Sequence, residues 1–145
     1  RLLCHKAFSK INLHSEMVLT PHPGEAAEML KVTAKEIQKN RIQSAKALQK
    51  KYGCIIVLKG NGTIICNNNG IYLCTAGGPE LAVAGSGDIL SGVIGSLIAQ
   101  GLEPLDAAKT GVVLHALAGE DFATDVGKIG MAAGELVPYI RKFLN

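Results

Sequence analysis

Gly85-Ser86-Gly87-Asp88-Ile89-Leu90-Ser91-Gly92-Val93-Ile94-Gly95-Ser96-Leu97-Ile98-Ala99-Gln100-Gly101 is the stretch from which the rest of the chain can be read. A Gly-Ser-Gly turn that runs into a helix aims unpaired backbone N–H groups at one point, where the helix dipole also favours negative charge. Gly85, Ser86 and Gly87 therefore predict an anion hole, with Gly85 and Gly87 free to take positive φ and to approach a phosphate closely. Asp88 stands at its mouth. It could cap the helix with its own carboxylate, or, beside a bound phosphoryl group, accept the proton of an attacking hydroxyl. The spacing matches neither Gly-x-Gly-x-x-Gly nor Gly-x-x-x-x-Gly-Lys-Ser/Thr. Only fourteen residues separate Asp88 from Glu103, too few to cross a bilayer, so the apolar run predicts a buried helix. Gly92, Ser96 and Ala99 fall at near-helical spacing, giving that helix one small side suited to close packing.

At 145 residues the chain is one domain or part of one, and a compact domain of this size buries roughly 70% of its unfolded surface. With 48% hydrophobic and 19% charged residues the composition is that of a folded α/β or α protein. A net charge of +3 is too small to argue for nucleic acid. The lysines cluster between Lys31 and Lys51 as the solvated face of a helix, without aromatic residues to stack bases. Cys4, Cys54, Cys66 and Cys74 have neither Cys-x-x-Cys nor His/Cys ligand spacing, which argues against zinc. If Asn69-Gly70 makes a tight hairpin, Cys66 lies opposite Leu73 and Cys74 opposite Ile65, on opposite faces of the ribbon. Reduced, mostly buried thiols and a cytoplasmic setting are expected, with no membrane association.

The stretch from Arg1 to Glu16 has no clear period and no initiator Met, so the chain reads as a piece of a longer protein. Met17-Val18-Leu19-Thr20 predicts a short buried strand. Thr20-Pro21-His22-Pro23-Gly24-Glu25 breaks it with two prolines and leads into a short helix from Gly24 to about Leu30. A loop between strand and helix lies at the carboxyl edge of a sheet, where open α/β sheets bind ligands; His22 there is either a substrate contact or an idle loop histidine. Thr33, with Glu36, caps a longer helix running to about Tyr52, with Ile37, Ala45 and Leu48 and, alongside, Ile42 as its apolar stripe. Gly53 ends it, and Cys54-Ile55-Ile56-Val57-Leu58 predicts a strand covered on both faces in a parallel sheet. That strand delivers Lys59-Gly60-Asn61-Gly62-Thr63 to the same edge, either as a phosphate loop or as a plain turn between strands. Thr63 to Asn67 and Ile71 to Cys74 predict the hairpin. Glu103-Pro104 opens a helix to about Thr124 whose small face, Ala108, Gly111, Val112, His115 and Gly119, predicts tight packing against the helix that follows Gly85; His115 reads as a packing histidine. Met131 to Leu144 predicts a final amphipathic helix.

Three blocks in order, Thr20-Pro21-His22-Pro23-Gly24-Glu25, Lys59-Gly60-Asn61-Gly62-Thr63, and Ala84-Gly85-Ser86-Gly87-Asp88-Ile89-Leu90-Ser91-Gly92 with Ala99-Gln100-Gly101, together resemble the carboxyl-terminal part of the ADP/ATP-dependent NAD(P)H-hydrate dehydratases, a branch of the ribokinase-like fold. The resemblance covers about Met17 to Leu144 and takes in Val113-Leu114-His115-Ala116-Leu117-Ala118-Gly119-Glu120. It implies that residues 1–145 are the carboxyl-terminal part of a single three-layer α/β/α domain, incomplete at its amino-terminal side, where the family carries further strands and a Gly-rich segment. It implies a lyase that repairs hydrated NADH or NADPH: ADP or ATP phosphorylates the hydrate hydroxyl, and loss of phosphate restores the ring double bond. Carried over, Asp88 is the base and a substrate contact, and His22 is a substrate contact. Lys59, Gly60, Asn61, Gly62 and Thr63 hold the nucleotide, and Gly87 joins the anion hole. Mg²⁺ is expected to ride on the nucleotide phosphates. Exposed sheet edges would favour a homo-oligomer, a tetramer being one candidate. Two other readings stand beside this one: a small-molecule (vitamin or sugar) kinase of the same fold, and a noncatalytic nucleotide-binding module.

Overall fold

The computed structural model describes residues 13–144, so Cys4 and most of the aperiodic amino-terminal stretch lie outside the described residues. The chain forms two compact units that divide between Leu73 and Cys74.

The first unit holds a four-stranded sheet in the order β1 (Val18–Leu19), β2 (Ile55–Leu58), β3 (Thr63–Cys66) and β4 (Ile71–Cys74). β1 is shorter than the strand expected at residues 17–20 and only half-buried. It runs parallel to β2, with Val18 opposite Ile55 and Leu19 opposite Ile56. β2 is buried at all four positions, as its unbroken apolar run predicts. The parallel sheet expected around it is corrected on the other side. β3 runs antiparallel to β2, pairing Leu58 with Ile64 and Ile56 with Cys66, because the short stretch from Lys59 to Gly62 cannot supply the dozen or more residues that a parallel crossover needs.

Helices α1 (Pro23–Leu30), α2 (Ala34–Lys39) and α3 (Arg41–Tyr52) follow β1. The capping box of Thr33 and Glu36 forms as read. The single long helix does not: Asn40, at φ −134° and ψ 53°, ends α2 and starts α3. Asparagine offers its backbone non-helical alternatives, which makes it a natural break point. The break takes Ile42 out of the expected stripe, leaving it 49% exposed, while Ser44, Ala45 and Leu48 form the buried face of α3. Ala26, Met29, Ile37, Ala45 and Leu48 pack with Ile56, Leu58, Ile64 and Cys66 in one core, so the three helices cover one face of β2 and β3. Ile55, Val57 and Ile65, on the opposite face, are buried as well.

The hairpin between β3 and β4 turns one residue earlier than expected. The Asn67 amide donates to the Gly70 carbonyl at 3.1 Å, and Asn67 Oδ1 accepts the amides of Asn69 and Gly70 at 3.0 Å each. The side chain of Asn67 takes the place of a backbone acceptor, which centres the turn on Asn68-Asn69. Moving the centre by one residue moves partners by two, so Cys66 and Cys74 still fall on opposite faces. Cys54, Cys66 and Cys74 are free thiols.

The second unit contains a 3₁₀ turn (Pro79–Leu81), α4 (Ser86–Ala99), α5 (Pro104–Asp125), a second 3₁₀ turn (Ala133–Glu135) and α6 (Leu136–Lys142). α4 buries Leu90, Ile94 and Leu97, and α5 meets it with the small face expected: a Cβ on Gly111 would stand 2.7 Å from Ile94 Cγ1. The small side of α4 is a correction. Gly92, Ser96 and Ala99 are exposed among the described residues, since the large apolar side chains of α4, not its small ones, carry the contact. The final helix also starts later than expected, at Leu136. Pro138 is tolerated only in a helix's first turn and so pins the start close before it. α6 docks on α5 through an edge-to-face pair of Phe122 and Tyr139, with ring centroids 5.6 Å apart. Among the described residues no helix is long and apolar enough to cross a membrane.

Candidate functional site

In the first unit, the loops after β1 and β2 meet at the carboxyl end of the parallel pair, where the Lys59 amide donates to the Pro21 carbonyl at 2.9 Å. His22 has a task that the sequence reading did not assign: it is the N-cap of α1. Its Nδ1 accepts the amides of Gly24 and Glu25 at 3.0 and 3.2 Å, while its own amide donates to Glu25 Oε2 at 2.7 Å. An Nδ1 that accepts two N–H groups carries no proton, so in the neutral ring Nε2 is the donor. Glu25 Oε2 lies 3.6 Å from that Nε2 and 3.8 Å from Lys59 Nζ. Partial burial pushes the Glu25 carboxyl up, but the hydrogen bond from the His22 amide and the charge of Lys59 outweigh it, leaving its pKa below the ordinary glutamate value. His22 and Lys59, on two adjacent loops, thus form one polar ridge with Glu25 in the first turn of α1.

Lys59, Gly60, Asn61, Gly62 and Thr63 join β2 to β3 as a tight, exposed-to-half-buried loop. Gly60, at φ 140°, and Gly62, at φ 70°, take conformations that L side chains rarely adopt. Thr63 Oγ1 donates to the Gly60 carbonyl at 3.3 Å. Arg41, at the start of α3, reaches this loop from beneath and donates to the carbonyls of Leu58, Lys59 and Gly62.

In the second unit, Gly85 is the N-cap of α4 at φ 86° and ψ −13°, a left-handed conformation that explains the glycine. Its carbonyl accepts the amides of Asp88 and Ile89 at 3.0 and 3.1 Å. Ser86 is buried, and its amide donates to the Val83 carbonyl at 3.2 Å. Its hydroxyl and carbonyl oxygens each lie 3.0 Å from Nε2 of His115. Of the three amides read as an anion hole, those of Gly85 and Gly87 have no backbone acceptor among the described residues, whereas that of Ser86 is engaged. Asp88 is exposed in the first turn, and the helix end has no side-chain cap. His115 is 8% exposed, a bonded packing histidine as its place in the small face suggested. Just upstream, the Gly77 amide donates to Glu120 Oε1 at 2.8 Å and the Gly78 amide to the buried Glu80 at 2.7 Å.

Among the described residues no group of three or more His, Cys, Asp or Glu side chains could hold a metal ion.

A family model described as NAD(P)H-hydrate dehydratase matches residues 3–142. The bifunctional NAD(P)H-hydrate repair enzyme Nnr of Coxiella burnetii is 44% identical over 131 residues, covering 90% of this chain and 27% of that protein. The ADP-dependent (S)-NAD(P)H-hydrate dehydratase of Neisseria meningitidis is 39% identical over 131 residues, covering 89% of this chain and 44% of that one. A crystal structure of the ADP/ATP-dependent NAD(P)H-hydrate dehydratase of Bacillus subtilis, co-crystallised with ATP/Mg²⁺, superposes with a TM-score of 0.83 at 34% identity, covering 88% of this chain and 46% of that one. The fold is ribokinase-like, and the chain spans between about a quarter and just under half of the relatives it matches. With almost its whole length inside one family model, this chain belongs to the NAD(P)H-hydrate dehydratase family.

Proposed function

We propose that the protein carrying this chain dehydrates (S)-NADH or (S)-NADPH hydrate, using ADP or ATP as phosphoryl donor with Mg²⁺ on the phosphates. The observation that carries the reading is the entry to α4: an exposed Asp88 in the first turn of a helix whose Gly85 and Gly87 amides have no backbone acceptor among the described residues. Donors of that kind stabilise charge developing on a transferred phosphoryl group, and the carboxylate beside them suits a general base. Asp88 takes the proton of the hydrate hydroxyl as its oxygen bonds to phosphorus and the bond to the nucleotide leaving group breaks. Phosphate then departs with the C–O electron pair, the neighbouring carbon loses a proton, and the ring double bond returns. His22 binds the hydrate through its Nε2 donor. Lys59, Gly60, Asn61, Gly62 and Thr63 hold the nucleotide, as a loop of amides with one lysine can.

Support also comes from the family match over residues 3–142, which takes in all three motifs. A cytoplasmic setting is in keeping with the three free, buried thiols. Self-association fits the exposure of Tyr72 and Leu73 on β4, at the edge of the sheet. The test is to incubate the protein with hydrated NADH or NADPH and with ADP or ATP, and to follow reduced-nicotinamide absorbance together with phosphate. Recovery of absorbance with phosphate release supports the reading. A stable phosphorylated product would show a kinase instead, and nucleotide binding without turnover a noncatalytic module.

A further inference from the structure

The guanidinium of Arg41 is engaged almost wholly with the segment that joins β2 to β3. Nη1 donates to the Lys59 carbonyl at 3.3 Å and to Gln38 Oε1 at 3.3 Å; Nη2 donates to the Leu58 carbonyl at 3.3 Å and the Gly62 carbonyl at 2.8 Å. One half-buried side chain thus satisfies three carbonyls that its own helix, α3, has no part in.

The orientation of those carbonyls has a consequence for the amides. In a trans peptide the N–H points opposite to the C=O. With the Lys59 carbonyl drawn toward Arg41, the Gly60 amide is turned the other way. With the Gly60 carbonyl held by Thr63 Oγ1, the Asn61 amide is likewise turned away from its anchor. The amides of Gly60, Asn61 and Gly62 have no backbone acceptor among the described residues, which is the condition for a backbone concavity that receives an anion. Gly60 is shaped to the same device. A Cβ there would collide with Arg41 Nη1, so the arginine sits where any side chain on Gly60 would have to go.

We propose that Arg41 is a positioning residue for nucleotide binding: it holds the carbonyls of the 59–63 loop from beneath, so that the loop's amides face the phosphates of ADP or ATP. The inference rests on the reading of this loop as the nucleotide loop. It goes further by assigning the order of the loop to a residue outside the motif. Lysine cannot replace arginine here, because a single ammonium lacks the planar fork that spans three acceptors.

The test uses the full chain carrying Arg41→Ala, Arg41→Lys or Gly60→Ala, each checked for an unchanged fold by circular dichroism. ADP and ATP affinities are measured by calorimetry, and exchange of the loop amides by hydrogen–deuterium exchange without ligand. The expected result is roughly a tenfold or greater loss of nucleotide affinity in all three variants, the scale set by losing hydrogen bonds to a charged group. Loop amides should exchange faster, affinity for the hydrated nicotinamide nucleotide should stay within about twofold of the parent, and millimolar guanidinium should restore part of the affinity to Arg41→Ala, a rescue that general destabilisation would not show. Nucleotide affinity within twofold of the parent in Arg41→Ala, or unchanged loop exchange, overturns the proposal. A parent that binds neither ADP nor ATP, while Arg41→Ala still loosens the loop, removes the nucleotide reading and leaves Arg41 a structural clamp only, which also overturns it.

Discussion

Nε2 of His115 lies 3.0 Å from both the hydroxyl oxygen and the carbonyl oxygen of Ser86, tying the middle of α5 to the first residue of α4. Both residues are buried, so neither polar group can turn to water if the other is removed. The turn that places Asp88 is therefore held from behind by a helix that begins eighteen residues later in the sequence.

Replacing His115 by Ala should destabilise the protein by about 1–3 kcal/mol, the cost of stranding buried polar groups. Ser86→Ala, which loses only the hydroxyl, should cost about 1 kcal/mol. If the contact is as described, the double variant will fall short of the sum of the two by about 0.5 kcal/mol or more. Urea unfolding of the parent and the three variants measures this, and additive losses would show that the two residues act independently.

His22 combines a structural and a proposed binding role that one substitution can separate. Asn is as good an N-cap as any residue, so His22→Asn should hold α1 with stability within a few tenths of a kcal/mol of the parent, whereas His22→Ala should lose about 1 kcal/mol. Both should raise KM for the hydrate, because both remove the Nε2 donor. An Asn variant with unchanged KM would confine His22 to capping.

The Glu25 carboxyl titrates below the ordinary glutamate value because the hydrogen bond from the His22 amide and the charge of Lys59 outweigh its burial. A depressed folded pKa contributes stability that is present above the unfolded value, about 4.3, and is lost as pH falls through the folded value. The parent should therefore lose more stability than Glu25→Gln between about pH 5 and pH 3, measured as the difference in urea midpoint at each pH. Parallel pH profiles for the two proteins would show that the ridge of His22, Glu25 and Lys59 contributes nothing through charge.

Local chemistry was readable in the sequence, and the directions in which elements turn were not. Thr33 with Glu36 announced a cap that forms as read, and the unbroken run from Ile55 to Leu58 announced a strand buried on both faces. His22 and Glu25 carry the spacing of a capping box too, but His is a rare cap, so the pattern does not announce it. The break at Asn40 leaves no local signal, because polar residues surround it and the helical spacing of Ile37, Ala45 and Leu48 continues across it. That break sets Arg41 at the start of a new helix, from which it reaches carbonyls 17 to 21 residues away; no local pattern carries such a contact. The exposure of the small residues of α4 has a related cause. Period shows which residues share a side, while burial follows the side with the larger apolar area.

Asp88 separates chemistry from binding in the proposed reaction. Asn keeps the size and hydrogen-bonding reach of the side chain but cannot take a proton, and loss of a general base lowers turnover by about 10²–10⁴-fold. Because Asp88 is exposed and caps nothing, Asp88→Asn should leave the unfolding free energy within about 0.5 kcal/mol of the parent. The substitution alters none of the groups proposed to hold the nucleotide, so ADP and ATP affinity should change little or even rise as a negative charge is removed. Single-turnover recovery of reduced-nicotinamide absorbance, read beside calorimetric binding of the nucleotide, distinguishes the outcomes. Turnover within tenfold of the parent would take the proton away from Asp88 and require another base, and turnover and nucleotide affinity falling together would make its role electrostatic positioning of the donor.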